Sequence, residues 1–339
     1  APRPVALQRL RIDGTWTLAD GGLQAHAFVG PLQANIAGAV TADPFRGDLR
    51  ITVQDALLED VVAIFGPQIP EAARSRIVGT VGLTALIALP DMTWSVTPRA
   101  VGIGAEGVIS DAFELRDGTV EWKANGATED DWTIKRAGRG QPHWTSLEAA
   151  GLVPAAVMAA EDSSFWRHRG YDLGAIKAAL DEKTAAPEST LRGGSTLTQQ
   201  LAKNLFLDGR DRTLTRKLRE LLYALELERL LRKERILELY LNIVELGPRL
   251  HGIGAASDAY FLKAPDRLTA REAVFLAAIL PSPRVRGQRA WLGGATPDNR
   301  IEAVLDNMVD AKALTASHAA RAKRSELRFV PPPRATRPR

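Results

Sequence analysis

The spacing of apolar side chains changes near residue 140, and this change constrains the fold more than any other feature of the sequence. Residues 1–140 contain short runs in which apolar and polar residues alternate, broken by Gly, Asp-Gly and Asp-Pro, as is typical of strands. Beyond the polar stretch "KRAGRGQPHWTS" at residues 135–146, apolar residues recur at helical spacing. The clearest helical face carries Leu214, Leu218, Leu221, Leu222 and Leu225. The sequence therefore predicts an α+β multidomain protein in which a β-rich part precedes a mainly α part.

Three local predictions concern the β-rich part. The Asp-Gly pair in "RDGTVEW" (residues 116–122) predicts a hairpin turn, and "DALLEDVVAIFG" predicts a single helix over residues 57–65. His26 is the only histidine of residues 1–140, and we expect it on the surface of a strand rather than as a ligand. This part shows no catalytic constellation. Its strands resemble the β-rich repeats of AsmA-like envelope proteins, and one interpretation of its role is binding an envelope partner.

The remainder of the chain predicts several helices and a polar tail. Ser146 is the expected N-cap of a helix in "SLEAAGLVPAAVMAAED", and residues 213–245 form the clearest helical region. Residues 321–339 are rich in Pro and Arg with few apolar residues near the end, which predicts disorder. The predicted domains are thus 1–140, 141–320 and the tail 321–339.

Charge is unevenly distributed along the chain. Residues 1–140 carry 13 Lys and Arg against 17 Asp and Glu, whereas the remainder carries 31 against 23. The basic second part is expected to meet an anionic partner. The chain has no cysteine, which excludes disulfides, thiol nucleophiles and cysteine zinc sites. No apolar run of about 18 residues occurs, so we expect no membrane anchor in this sequence.

The stretch "EDSSFWRHRG" (residues 161–170) places an acid beside aromatic side chains. Glu161 follows an apolar, Ala-rich helix and precedes Phe165, Trp166 and His168. Partial desolvation would raise the pKa of this carboxyl and make it a better base near neutral pH. For an isolated Glu, a surface position at a helix end is the more common explanation.

A second stretch, "GGSTLTQQLAKN" (residues 193–204), combines glycines, hydroxyls, amides and one lysine. The glycines allow positive φ or close approach of a ligand, and Ser195 or Thr196 is the expected helix cap. Gln199, Lys203 and Phe206 fall on one helix face, with Gln200 and Asn204 adjacent. Such a face suits a sugar or a diphosphate, although a capped surface helix explains it too. The Walker pattern is missing, so a nucleoside triphosphate is not indicated.

A third stretch, "DRTLTRKLREL" (residues 211–221), concentrates cations around a second acid. Arg212, Arg216 and Glu220 lie four residues apart and share a helix face, near Lys217 and Arg219. A salt bridge from Arg216 explains Glu220 alone. It explains less well the number of cations, which a diphosphate leaving group would need.

Two other kinds of site are disfavoured by the residue pattern. His168 and His251 lack the spacing of a zinc motif, and lone histidines more often have structural roles. A triad of Ser195, His168 and Asp162 lacks the Gly-x-Ser-x-Gly elbow.

From Trp144 to Pro283 the sequence resembles the peptidoglycan glycosyltransferases of family 51, the lysozyme-like domain of monofunctional transglycosylases and class A penicillin-binding proteins. The first and second motifs of that family are similar to the stretches at residues 161–170 and 193–204. Three more motifs follow in order: "RKLRE", "RILELYLN" and "HGIGAASDAYF". One departure is Leu262, where a Gly commonly follows Tyr-Phe.

The resemblance implies a fold, an activity and site residues. It implies a mainly α, lysozyme-like domain that polymerises lipid II into β-1,4-linked strands, inverting the donor sugar and releasing undecaprenyl diphosphate. Glu161 would be the general base, and Glu220 the second catalytic acid. No cofactor is required, although Mg or Mn held through Glu220 would be compatible. The implied substrate-binding residues are His168, Ser195, Thr198, Gln199, Gln200, Lys203, Asn204, Arg212 and Arg216.

The implied partners are lipid II, the nascent glycan strand and a membrane surface, at the periplasmic face of the bacterial inner membrane. The segment "WRHRGYDLGAIKAAL" (residues 166–180) mixes aromatic, apolar and basic residues, as an interfacial segment would, although packing against the core explains it equally. The polar stretch 181–194 is expected to be a mobile loop over the cleft.

Three other functions remain open from the sequence. A lysozyme-like hydrolase would need one or two carboxylates but no diphosphate-binding cations. A non-catalytic envelope scaffold would not need both acids. Nucleic-acid binding rests only on the basic balance of the second part, with no recognisable module, and is not expected.

Overall fold

A computed structural model describes residues 10–17, 22–42, 45–110, 113–125, 132–185, 193–207 and 213–332. The strands are β1 (Leu10–Thr17), β2 (Gly22–Val29), β3 (Leu32–Ala42), β4 (Phe45–Leu57), β5 (Arg76–Leu89), β6 (Thr93–Glu106), β7 (Val120–Asn125), β8 (Trp132–Ala137), β9 (Glu245–Gly247) and β10 (Leu250–His251). The helices are α1 (Leu58–Ala63), α2 (Phe113–Arg116), α3 (Val153–Glu161), α4 (Leu173–Ala185), α5 (Leu197–Phe206), α6 (Leu214–Leu230), α7 (Lys233–Ile243), α8 (Ile253–Phe261), α9 (Ala270–Ile279), α10 (Gln288–Trp291), α11 (Asp298–Asp310) and α12 (Ala316–Arg324). The predicted order, a β-rich part before a mainly helical part, is confirmed.

The first six strands form one antiparallel meander, β1-β2-β3-β4-β5-β6. Their register places apolar side chains opposite one another across the sheet, as in the row Ala25, Ile36, Ile51, Ala85 and Val96. The two-residue period of the sequence therefore becomes one apolar face of the sheet.

Neighbouring positions form the opposite, polar face of this sheet. His26, Asn35, Thr52, Thr84 and Thr97 lie in one row. His26 is exposed and its ring contacts the Asn35 side chain at 2.8 Å. The prediction that His26 is a surface strand residue is confirmed.

The chain divides into two compact units whose segments alternate along the sequence. The first unit comprises the described residues of 1–110, 171–195 and 210–226, and the second those of 111–170, 196–209 and 227–339. This division differs from the predicted consecutive domains with a boundary at residue 140. The reason is that α4 packs against β6, and α6 is hydrogen-bonded to Gln68, Glu71, Gly107 and Ile109 of the first unit.

Within the first unit, α4 packs against β6, and α1 packs against β4 and β5. Helix α1 lies inside the predicted range 57–65, so that prediction is confirmed. Within the second unit, α3 packs against α9 and α11, and α5 packs against α7 and β7. Helix α9 is buried from Arg271 to Ile279, and it begins with a capping box formed by Thr269 and Glu272.

The predicted turn at Asp117-Gly118 is wrong. These residues end the short helix α2, where the Gly118 amide donates to the Glu114 carbonyl at 3.0 Å. Strand β7 follows and pairs with β8 instead. The Asp-Gly signal marks a glycine near a helix end as readily as a hairpin turn.

The predicted helix start at Ser146 is also wrong. Residues 146–152 form successive turns, and α3 begins at Val153 with Pro154 in its first turn. Proline lacks an amide hydrogen and favours the first turn of a helix, so it fixes this start more strongly than Ser146 does.

The segment expected to be a disordered tail is packed over its described part. Residues 321–324 complete α12, and the Val330 amide donates to the Tyr260 carbonyl at 2.8 Å. Phe329 stacks on Phe261 with ring centroids 5.5 Å apart. Phe329 and Val330 thus hold this segment against α8. Residues 333–339 lie outside the described ranges.

No helix in the described ranges combines the length and apolar character that crossing a bilayer requires.

Candidate active site

Glu161 is the last residue of the apolar helix α3, and its side chain is 14% exposed. One carboxylate oxygen accepts a hydrogen bond from Gln200 at 3.1 Å, and the other from Arg300 at 2.7 Å. Burial raises the pKa of Glu161 above its usual value, although the Gln200 hydrogen bond and the charges of Arg300 and Lys203 oppose this rise. The expected desolvated acid is therefore present, and it also has a cationic neighbour.

Tyr240 fixes the orientation of the amide that contacts Glu161. This fully buried tyrosine donates from its hydroxyl to the Gln200 Oε1 atom at 2.9 Å. Burial raises the pKa of Tyr240 well above its usual value, and the nearby charges of Glu161 and Asp162 add to this. The hydroxyl stays protonated, so the Gln200 amide nitrogen is directed at the Glu161 carboxylate.

Asp162 connects the first motif to the helix of the second. Its carboxylate contacts His168 Nε2 at 2.9 Å and accepts from the Leu197 amide at the start of α5 at 2.8 Å. The His168 side chain is only 7% exposed, and its Nδ1 atom accepts from the Gly170 amide at 3.2 Å. His168 is therefore occupied within the protein, and its predicted role in substrate binding stays a prediction.

The start of α5 is defined by Thr196 rather than Ser195. Thr196 and Gln199 form a capping box, each side chain bonded to the other's backbone amide. This confirms the predicted cap and explains why Gln199 is buried. Gly193, just before it, has a φ of 86°, a conformation that other residues adopt at a cost.

The residues of α5 divide between packing and the site. Thr198 is fully buried and donates to Glu228 at 2.6 Å, and Glu228 also pairs with Lys233 at 2.7 Å. Thr198 and Gln199 are thus occupied inside the second unit. Gln200 contacts Glu161 directly, Lys203 acts on it through its charge, and Asn204 is half-buried one residue further on.

A second charged group lies on α6, within the first unit. Glu220 is 1% exposed and is flanked by Arg216 at 2.8 Å and Lys217 at 2.6 Å. Lys217 also donates to the Ser195 hydroxyl at 2.8 Å. The salt bridge from Arg216, the alternative explanation of Glu220, is present, and the catalytic role of Glu220 stays a prediction. Arg212 lies outside the described residues.

Two residues of the group around Glu161 were missed by prediction from the sequence. Tyr240 stands inside the motif "RILELYLN", forty residues from Gln200. Lys217 was named among the cations near Glu220, but not as a site residue. Arg300 lies 139 residues from Glu161, beyond the recognised motifs. Nothing in the sequence near Arg300 indicates that contact.

His251 has a packing role. Its ring lies edge-on to Trp122 with centroids 6.0 Å apart, and burial lowers its pKa to about 4. The neutral ring agrees with the expectation that it is structural.

The described residues around Glu220 do not fit a preformed divalent metal site. Mg²⁺ and Mn²⁺ prefer several oxygen ligands, but Glu220 is one carboxylate between two cations. Among the described residues, no group of three or more His, Asp or Glu side chains is arranged to hold a metal ion.

A buried carboxylate with a raised pKa, beside an oriented amide and cationic side chains, is the arrangement of an enzyme that transfers a proton to or from its substrate. The chain belongs to the transglycosylase family, whose model matches residues 133–309, just over half of its length. The resemblance to peptidoglycan glycosyltransferases is thereby confirmed.

Two curated relatives are named biosynthetic peptidoglycan transglycosylase. The protein from Shewanella amazonensis is 50% identical over 141 residues, which cover 41% of this chain and 56% of the relative. The protein from Rhodopseudomonas palustris is 40% identical over 187 residues, covering 55% of this chain and 71% of the relative. The chain thus spans little more than half of the first relative's length. Among solved structures, penicillin-binding protein 1A from Haemophilus influenzae is 28% identical, with a TM-score of 0.26 over 30% of this chain and 15% of that one.

Proposed function

We propose that this chain is a peptidoglycan glycosyltransferase that polymerises lipid II into β-1,4-linked glycan strands and releases undecaprenyl diphosphate. Membership of the transglycosylase family and the names of its relatives support this activity. The main structural support is Glu161, a buried carboxylate whose pKa is raised and whose orientation is held by Gln200 and Arg300.

Glu161 acts as the general base. Its carboxylate takes the proton from the 4-hydroxyl of the acceptor sugar, and the oxygen attacks C1 of the donor sugar. The bond from C1 to the diphosphate breaks, the diphosphate leaves with the electron pair, and the configuration at C1 inverts. A raised pKa makes Glu161 a stronger base than an exposed glutamate, which favours this transfer.

Arg300 has two effects on the same carboxylate. Its charge opposes the rise in the pKa of Glu161, so that more of the base is ionised at neutral pH. Its hydrogen bond, together with that of Gln200, holds the carboxylate in one orientation. The acceptor hydroxyl can then compete for one carboxylate oxygen.

The cations would hold the leaving diphosphate. Within the first unit the described candidates are Arg216 and Lys217, which share Glu220. Within the second unit the described candidate is Lys203. Cationic donors stabilise negative charge that develops in a site with little water. Glu220 organises Arg216 and Lys217, which agrees with a role in positioning the donor.

The proposed setting is the periplasmic face of the bacterial inner membrane, with lipid II and the nascent strand as substrates and a lysozyme-like catalytic domain. Trp166 is 51% exposed beside basic residues, which suits contact with a membrane surface. The mobile loop predicted over residues 181–194 is wrong at its start, because residues 181–185 complete helix α4, and residues 186–192 lie outside the described residues.

The test is the substitution Glu161→Gln assayed with purified lipid II. The amide keeps the shape and the Arg300 contact but cannot accept the proton. We expect polymerisation to fall by roughly 10²- to 10⁴-fold, the range for loss of a general base. Polymer length and rate are measured by gel separation of labelled glycan strands.

The matched control is Glu234→Gln, an exposed glutamate on α7 that should retain wild-type activity. Near wild-type polymerisation by the Glu161→Gln protein would refute the base assignment. Cleavage of finished peptidoglycan by the wild-type chain, without any polymerisation, would favour the hydrolase instead.

A further inference from the structure

Helix α6 presents two different polar faces within the first unit. One face carries the group of Arg216, Lys217 and Glu220 described above. The other carries Thr215, Arg219, Tyr223 and Glu226, which follow one another at spacings of four, four and three residues. Residues at this spacing share one side of a helix, so the second face is continuous over three turns.

Four residues of the first unit that precede residue 110 bind the second face: Gln68, Glu71, Gly107 and Ile109. Arg219 donates to both oxygens of Glu71, at 3.1 and 3.0 Å from Nε and 2.5 Å from Nη2. Tyr223 donates to the same carboxylate at 3.0 Å. Glu71 therefore contacts the helix on two successive turns.

Contacts at both ends of the face complete the attachment. The Thr215 hydroxyl donates to Gln68 at 3.1 Å. At the other end, the backbone amides of Gly107 and Ile109 donate to the two oxygens of Glu226, at 2.9 and 2.6 Å. The helix is thus fixed against rotation at three heights along its axis.

These contacts are removed from solvent, which makes them selective for one arrangement. Glu71 is 3% exposed and Glu226 is 1% exposed. Burial alone would raise the pKa of Glu71, but the bonds from Arg219 and Tyr223 outweigh it and hold this pKa below its usual value. A buried carboxylate left without these donors is costly, so the fold disfavours any other rotation of α6.

We propose that Glu71 is a positioning residue for the diphosphate-binding group on α6, which consists of Arg216, Lys217 and Glu220. The inference rests on the proposed function. Residues along a helix are about 100° apart around its axis, and Arg219 is the immediate neighbour of Glu220. Holding Arg219 against Glu71 therefore sets the direction in which Arg216, Lys217 and Glu220 point.

The test compares wild type with Glu71→Gln in the full chain, with Glu59→Gln, an exposed acid on α1, as the matched control. Because diphosphate-binding cations would shift, we expect the KM for lipid II to rise about tenfold in Glu71→Gln alone. A purely structural role would reduce the active fraction and hence the apparent kcat, but would leave KM unchanged. In the Glu71→Gln background, the further change Arg216→Gln should raise KM less than it does in wild type.

Hydrogen exchange separates failure of this inference from failure of the proposed function. If wild type does not polymerise lipid II, the proposed function fails, but exchange at residues 214–223 still reports positioning. We expect these amides to exchange faster in Glu71→Gln than in Glu59→Gln, while those of α7 and α9 do not change. An unchanged KM, or equal exchange at residues 214–223 in the two variants, would overturn the inference.

Discussion

At the residue scale, two opposing effects determine the pKa of Glu161. Burial at the end of α3 favours the protonated acid, whereas Arg300 and Lys203 favour the carboxylate. Burial prevails and the pKa is raised, but Arg300 limits the rise. An unpaired acid in the same place would be protonated over a wider pH range and would act as a base only in more alkaline solution.

Replacement of Arg300 by Gln tests this balance. Without the guanidinium charge the pKa of Glu161 rises further, so the acidic limb of kcat/KM against pH moves to higher pH. We expect activity at pH 7 to fall roughly two- to tenfold and to recover as the pH increases. The control Arg300→Lys keeps the charge and should keep a limb close to that of wild type. A limb that does not move in Arg300→Gln would contradict the electrostatic role.

Some contacts of these residues could be predicted from the sequence, and others could not. The desolvation of Glu161 was predictable because its apolar and aromatic neighbours are adjacent in the sequence. The salt bridge between Arg216 and Glu220 was predictable because helical spacing brings the two side chains together. Arg300 was not, since its contact with Glu161 spans 139 residues and depends on how α11 packs on α3. The contact between Glu71 and Arg219, 148 residues apart, was unpredictable for the same reason.

At the element scale, apolar periods predicted which segments are strands and helices, but turn chemistry decided their ends. Pro154 moved the start of α3 away from Ser146, and Gly118 ended a helix where a hairpin turn was predicted. Helix α8 shows the same effect at its other end. Leu262 follows it with φ of 52° and ψ of 42°, the left-handed conformation that glycine adopts most easily.

The substitution Leu262→Gly should therefore stabilise the protein. Leu262 is 69% exposed, so the substitution removes little packing. A left-handed conformation costs a non-glycine residue about 1 kcal/mol, and glycine avoids this cost. Allowing for the greater freedom of glycine when unfolded, we expect a gain of about 0.5 kcal/mol in the free energy of unfolding. Urea denaturation measures this, with Leu262→Ala as the control that keeps the strain. A loss of stability in the Gly variant would show that Leu262 makes contacts that matter.

At the scale of the whole molecule, each compact unit is assembled from separated segments. The strand-rich unit includes α4 and most of α6, and the second unit draws on residues before, between and after them. Two buried carboxylates of the first unit link residues before and after residue 140. Glu71 is bonded to Arg219, and Glu226 accepts from the Gly107 amide. Unfolding of the strands and of α6 should therefore be cooperative.

A chain consisting of residues 1–140 alone tests this organisation. It lacks α4 and α6, so β6 loses its covering helix and Glu71 loses its donors. Loss of one partner of a buried ion pair costs about 3–5 kcal/mol, a large share of a typical stability of about 5–15 kcal/mol. We expect no cooperative thermal transition by circular dichroism. The full chain cleaved after residue 140, with both pieces retained, should keep its transition, whereas equal melting of the isolated piece would contradict the interleaved organisation.

The shared attachment of α6 also limits how such a chain can be recombined during evolution. A genetic crossover near residue 140 would transfer the meander and Glu71 without α6, the helix to which Glu71 is bonded. We therefore expect that the meander cannot be transferred to another protein by recombination without losing these contacts. Changes at position 71 have to be matched by changes at position 219, so these two sites are expected to be inherited as a pair.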